Sequence, residues 1–214
     1  MSIRLSHRIT LGVLDIQGSV EEHLAVLAGM VFRDQSEQAA SIKIPAIGVK
    51  TKQDLEKVSG LIIPGGESTT ISKLLKLYEL DEVIKKRTKA QTLCVWGTCA
   101  GAILLAKHVL NRPPPTLQLM DITIERNAYG SQLDSFETEL SVPALGAKKI
   151  PAVFIRAPQV KTASPNVQVL AEYDGHPVML RQENLLATMF HPELTGDTRV
   201  HQYFFEMTQS YEQK

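Results

Sequence analysis

Short, nearly continuous apolar runs recur in the first half of the chain, at residues 9–14, 44–49, 61–64 and 93–96. Stretches with helical spacing separate them, at 19–30, 69–77 and 80–89. Apolar runs of this length without polar alternation belong to strands buried on both faces, as in a parallel sheet covered by helices. Strand and helix in alternation predict a doubly wound α/β fold. Further runs at 121–125, 153–156, 167–173, 178–181 and 185–189 also read as strands, and Asp174-Gly175 marks a tight antiparallel hairpin. The sheet is therefore expected to be mixed. A last helix, about residues 198–211, places Val200, Tyr203, Phe204 and Met207 near helical spacing and is expected to pack on the sheet. Two stretches break the pattern. Residues 32–41 are polar, so helix extension and surface loop both stay open there. Arg112-Pro113-Pro114-Pro115 predicts a rigid, exposed connection.

Length and charge narrow the function classes. A chain of 214 residues is expected to form one domain over 1–214, with 1–8 a loose extension, since no repeat, Gly/Ser linker or charge block marks a boundary. Lys plus Arg number 23 and so do Asp plus Glu, which leaves no basic field for nucleic acid or an anionic membrane. A small neutral or zwitterionic substrate suits this balance better. Cys94 and Cys99 make neither a redox pair nor a zinc pattern, and two cysteines cannot build a disulfide framework, so a reducing, cytoplasmic setting is expected. No secretory leader or membrane span is expected either.

The chemistry concentrates at Gly97-Thr98-Cys99-Ala100-Gly101, between the apolar run at 93–96 and the small-residue stretch 102–106. Strand, sharp turn and helix, with glycines on both sides of a thiol, form a cysteine nucleophile elbow. A thiol at that apex is expected to stand exposed above the sheet, beside free N–H groups of the following helix that favour thiolate and could hold an oxyanion. On the pentapeptide alone, a buried structural cysteine stays open as the alternative. A nucleophile needs a base, and His191 in Phe190-His191-Pro192-Glu193 follows a strand, with Glu193 two residues on to orient the imidazole. The other histidines offer less. His7 is near a loose terminus, His108 two helical turns from the elbow, His176 in a turn, and His23 and His201 on amphipathic helices. Pro64-Gly65-Gly66-Glu67-Ser68-Thr69-Thr70 follows a strand and opens a helix that Ser68 or Thr69 is expected to cap. It lacks the lysine of a phosphate loop and the spacing of a dinucleotide fingerprint, so it suits an oxyanion or carboxylate. Arg126 and Arg156 stand at strand ends, where their forked guanidinium groups match a carboxylate.

These three segments together resemble the class I, triad-type glutamine amidotransferases. More narrowly, the chain resembles the family of glutaminase subunits of pyridoxal 5′-phosphate synthase, through Gly12-Val13-Leu14-Asp15-Ile16-Gln17-Gly18, Glu125-Arg126-Asn127-Ala128-Tyr129-Gly130-Ser131-Gln132, Asp134-Ser135-Phe136 and Phe154-Ile155-Arg156-Ala157-Pro158. The likeness runs from about Ile9 to the last helix. It implies a flavodoxin-like, three-layer αβα sandwich with a mixed, mostly parallel sheet, hydrolysing L-glutamine to L-glutamate and ammonia without cofactor or metal. By resemblance, Cys99 is the nucleophile, His191 the general base and acid, and Glu193 its orienting group. Gly66 and the N–H of Ala100 make the oxyanion hole; Gly66, Glu67, Ser68, Arg126, Ile155 and Arg156 line the glutamine pocket. The implied partner is a (β/α)8 barrel synthase subunit that receives the ammonia, and Gln17 lies at the contact with it. Two departures stand out: Asp15 occupies a usually small or apolar position, and the 32–41 stretch is longer than in compact members.

Overall fold

The apolar runs of the first half become parallel strands at the centre of the molecule. The structure, a computed structural model, describes residues 9–33, 41–111, 114–126 and 135–212. Residues 1–8, the Arg112-Pro113 start of the proline run, and the 127–132 and Asp134 parts of the motifs above lie outside these. In chain order the first half forms β1 (Leu11–Leu14), α1 (Val20–Gly29), β2 (Val31–Arg33), β3 (Ser41–Lys43), β4 (Ala46–Val49), α2 (Lys52–Glu56), β5 (Gly60–Ile63), α3 (Ser68–Leu77), α4 (Leu80–Lys89), β6 (Cys94–Thr98) and α5 (Ala100–Leu105). The second half adds β7 (Ala106–Leu110), β8 (Met120–Glu125), β9 (Ser135–Leu140), β10 (Ile150–Ile155), β11 (Gln159–Ala163), β12 (Gln168–Tyr173), β13 (His176–Gln182), β14 (Leu185–Thr188) and α6 (Arg199–Glu212).

The main sheet runs β12-β13-β14-β6-β5-β1-β4. Its β14–β6, β6–β5, β5–β1 and β1–β4 pairs are parallel, while β12–β13 and β13–β14 are antiparallel. Mixed pairing follows from the connections: helical crossovers serve the parallel strands, whereas Asp174 (φ 51) and Gly175 (φ 72) make the two-residue, positive-φ turn that an antiparallel hairpin needs. Strand β6 shows how the layers arise. Alternate side chains point to opposite faces, so Trp96 meets His23 of α1 and His201 and Phe204 of α6, while its neighbour Gly97 faces α5. Helices thus cover both faces, and Leu61, Ile62, Ile63, Val95 and Trp96 are wholly buried between them. Smaller sheets, β9–β10 and β7–β8–β11, flank this core. Phe154 of β10 joins the β9–β10 pair to it, stacked on Phe136 with ring centroids 4.7 Å apart and resting 5.8 Å from Phe190. Among the described residues, no helix is long and apolar enough to cross a membrane.

Several expectations are corrected. Phe32, Arg33 and Ser41, the ends of the 32–41 stretch, belong to an antiparallel β2–β3 pair, and 34–40 lie outside the described residues. The stretch 102–106 does not stay helical: α5 ends at Leu105, and Ala106 begins β7, which puts His108 on an exposed strand. Strands β9 and β11 and the short helix α2 escaped the pattern because each has a single buried position, leaving little apolar periodicity to read.

Candidate active site

Parallel strands deliver their C-terminal loops to one edge of the sheet, and the predicted site residues gather there. The β6–α5 turn puts Cys99 at φ 47 and ψ −100, a backbone conformation that costs on the order of 1–3 kcal/mol for a residue with a side chain. Neighbouring close contacts enforce it. A Cβ on Gly97 would sit 2.4 Å from the Gly101 carbonyl carbon, and one on Gly101 would sit 2.0 Å from the Ile63 carbonyl oxygen, so β5, β6 and α5 meet only because both residues lack one. The β6–β14 register, Thr98 opposite Thr188, then lets the Cys99 N–H donate to the Thr188 carbonyl at 2.8 Å. The thiol is not exposed as expected. Cys99 is 8% exposed, and its Sγ–H points at the Ile155 carbonyl, 3.8 Å away at the end of β10.

His191 lies one strand over, two residues beyond Met189. Its N–H donates to the Val153 carbonyl at 2.8 Å, and Phe190 is wholly buried beneath it. Pro192 opens a single 3-10 turn, Pro192–Leu194, that swings Glu193 back under the ring. His191 Nδ1 and Glu193 Oε1 are 2.8 Å apart, and Cys99 is the other group that acts on this imidazole. Burial opposes charge on this imidazole, but its hydrogen bonds to Cys99 and Glu193 outweigh that and raise its pKa to about 10. Burial also resists ionising Glu193, yet the His191 hydrogen bond, nearby positive charge and the Ser19 hydroxyl bring its pKa down to about 2. A buried thiol, an imidazole that favours its protonated form and a permanent carboxylate stand in one line. Such a line can move a proton between sulfur and a leaving group.

The Gly65-Gly66 loop packs flat against this line. A Cβ on Gly65 would sit 2.3 Å from His191 Cε1, and one on Gly66 would sit 2.7 Å from Gln17 Oε1. Gln17 Oε1 also accepts the Glu67 N–H at 2.9 Å. Glu67, not Ser68 or Thr69, caps α3, its Oε2 accepting the Thr70 N–H at 2.7 Å while Oε1 meets Arg126 Nη2 at 3.3 Å. Ser68 is buried at the start of that helix, Ala100 opens α5 beside the thiol, and Arg156 (φ 43) is exposed just past Ile155. Asp15, just past β1, is ion-paired at 3.2 Å to Lys50, just past the edge strand β4. Among the described residues, no group of three or more His, Cys, Asp or Glu is placed to hold a metal ion.

Three neighbours were not foreseen. Ser19 Oγ donates to Glu193 Oε1 at 2.7 Å, and His23 and His201 are completely buried behind the same carboxylate. A signal for the histidines was present in the sequence: His23 lies between Val20 and Leu27 on the apolar stripe of α1, and His201 lies beside Val200 and one turn before Phe204.

The model of the SNO glutamine amidotransferase family matches residues 13–210. The chain belongs to this family. Among curated proteins, it is 45% identical to the pyridoxal 5′-phosphate synthase subunit PdxT of Thermotoga petrophila over 197 residues, 92% of this chain and 98% of that protein. It is 47% identical to PdxT of Chloroflexus aurantiacus over 203 residues, 93% of this chain and all of that one. A crystal structure of a glutamine amidotransferase, 42% identical, superposes with a TM-score of 0.82 over 93% of this chain and 98% of its own. Another, from Thermotoga maritima, is 13% identical with a TM-score of 0.57 over 97% of this chain and 85% of its own, a likeness of fold alone. Membership in the SNO family accords with the αβα architecture and with the elbow, histidine and glycine-loop motifs that carry the resemblance.

Proposed function

We propose that this chain is the glutaminase subunit of a pyridoxal 5′-phosphate synthase, hydrolysing L-glutamine and passing the ammonia to a separate synthase subunit in vitamin B6 biosynthesis. The observation that carries the reading is the buried Cys99 at a strained elbow, beside an imidazole that Glu193 holds by a hydrogen bond. With its proton already held by His191, the Cys99 sulfur attacks the side-chain amide carbon, forming a C–S bond. The N–H groups of Gly66 and Ala100 hold the resulting oxyanion. As the tetrahedral species collapses, the C–N bond breaks and His191 returns the proton to the departing ammonia. A γ-glutamyl thioester remains. His191 then takes a proton from water, the hydroxide attacks the thioester, and glutamate leaves as the C–S bond breaks, restoring the sulfur beside a protonated His191. Glu193 fixes the Nδ1–H tautomer throughout, so that the opposite ring nitrogen faces sulfur. Glu67, Ser68, Arg126, Ile155 and Arg156 line the pocket for the amino acid, whose carboxylate suits an arginine fork.

The partner is a (β/α)8 barrel that docks at Gln17. Because Gln17 covers Gly66 and occupies the Glu67 N–H in the free chain, docking there frees the loop to serve the oxyanion. Both cysteines are free thiols, which suits a reducing cytoplasm. Glutamine hydrolysis is therefore expected to be slight for the isolated chain and to rise sharply when the synthase subunit is added. Ammonia release that is absent under both conditions contradicts the glutaminase reading, and equal release under both contradicts the role of docking.

A further inference from the structure

The back of the carboxylate is built as carefully as its front. Glu193 Oε1 takes hydrogen bonds from Ser19 Oγ and His191, but Oε2 is buried with no hydrogen-bond partner, which is costly for a charged oxygen. His23 Nε2 stands 3.5 Å from it, and 3.4 Å from Thr98 Oγ1. On its other side, His23 Nδ1 lies 2.9 Å from His201 Nε2, and His201 Nδ1 has no partner. Both rings are wholly buried and set edge-on to Trp96, at centroid distances of 5.5 and 4.8 Å, which leaves them little freedom to turn.

One arrangement of protons satisfies this chain. A bare Nε2 lone pair on His23 would face a carboxylate oxygen, so Nε2 carries the hydrogen. Burial holds His23 neutral at neutral pH, its pKa lowered to about 4 against the pull of Glu193, so Nδ1 is an acceptor. The Nε2 of His201 must then donate to it. His201 is neutral for the same reason, with its pKa lowered to about 3 first by burial, so its own Nδ1 is left as a bare lone pair. The reverse assignment would bury an N–H without an acceptor, which folded proteins largely avoid.

We propose that His23 is a positioning residue for the glutaminase reaction, a neutral Nε2–H donor that closes on Glu193 Oε2, with His201 fixing its tautomer. At 3.5 Å the contact is too long for a hydrogen bond, and a shift of roughly half an ångström completes it. The completed contact stops the carboxylate rotating away while His191 cycles between its protonation states. This inference rests on the glutaminase reading above, and its test separates the two.

Asn and Gln divide the histidine between them. The Asn amide reaches only as far as Nδ1, so His23→Asn can still satisfy His201 but gives Glu193 no donor; the Gln amide reaches Nε2 and does the opposite. With the synthase subunit present, H23N is expected to lower kcat for glutamine hydrolysis about tenfold, or about 1.4 kcal/mol of barrier, with KM little changed, and H23Q to restore most of that loss. A purely structural role reverses the order, because Asn preserves the buried partner of His201; H23N equal to or better than H23Q overturns the proposal. Nitrogen-15 NMR of the wild-type imidazoles reads the tautomer without turnover or mutation. A neutral His23 protonated at Nε2 is expected, and one protonated at Nδ1 overturns the proposal. Failure of the glutaminase reading looks different, since wild-type protein would then release no ammonia from glutamine.

Discussion

Glu193 divides its two oxygens between two tasks. Oε1 gathers the donors that set the imidazole, and Oε2 faces the buried histidines. Charge matters more than shape at this position, because the neighbouring imidazole favours its protonated form. Glu193→Gln keeps a carbonyl able to accept from His191 but carries no charge. It is expected to lower kcat for glutamine hydrolysis at least about 100-fold with the fold intact, by analogy with neutralising the orienting carboxylate of a serine triad. Steady-state ammonia assays alongside circular dichroism check this. At this scale much was legible in the sequence. The thiol lies between two glycines, His191 follows a strand, and the Glu193 carboxylate sits two residues on. Ser19, His23 and His201 were not legible as site residues, because only tertiary packing brings positions so far apart in the chain onto one carboxylate.

Glycines decide how closely the elements can approach. At Gly101 a Cβ would collide with the Ile63 backbone, and backbone cannot swing aside as a side chain can. Gly101→Ala is expected to destabilise the chain by about 2–3 kcal/mol, as overpacking of a tight core does, and to disturb the Cys99 turn. Gly29→Ala is the contrast. Gly29 ends α1, and a Cβ added there would meet nothing within 4 Å, so the substitution is expected to be neutral or to stabilise by up to about 1 kcal/mol. Urea denaturation of both variants distinguishes these outcomes. The central strands were readable because they are apolar along their whole length. The β2–β3 pair, β9 and β11 were not, since β2 and β3 are short and the residues of all four strands carry little apolar pattern.

Four buried ionisable groups shape the pH response of the whole molecule. His191 has a folded pKa raised to about 10, so the stability it adds is complete below its unfolded value of 6.5 and is lost as pH rises toward 10. His23 and His201 are depressed by burial to about 4 and about 3, so their contribution is present above 6.5 and is lost as pH falls. Glu193, lowered to about 2, adds a further loss below its unfolded value of 4.5. Stability is therefore expected to peak near pH 6.5. With two histidines titrating on the acid side against one on the alkaline side, the acid slope is roughly twice as steep, each proton being worth about 1.4 kcal/mol per pH unit. Denaturant midpoints measured from pH 4 to 9, with H201Q flattening the acid arm, check the sign. In the proposed reaction, Cys99 takes the acyl group of glutamine. Ammonia release from L-glutamine by Cys99→Ala, measured beside the wild type with the synthase subunit present, decides this. No release above background is expected from a variant that still binds its partner; release at the wild-type rate rules out Cys99 as the acyl acceptor.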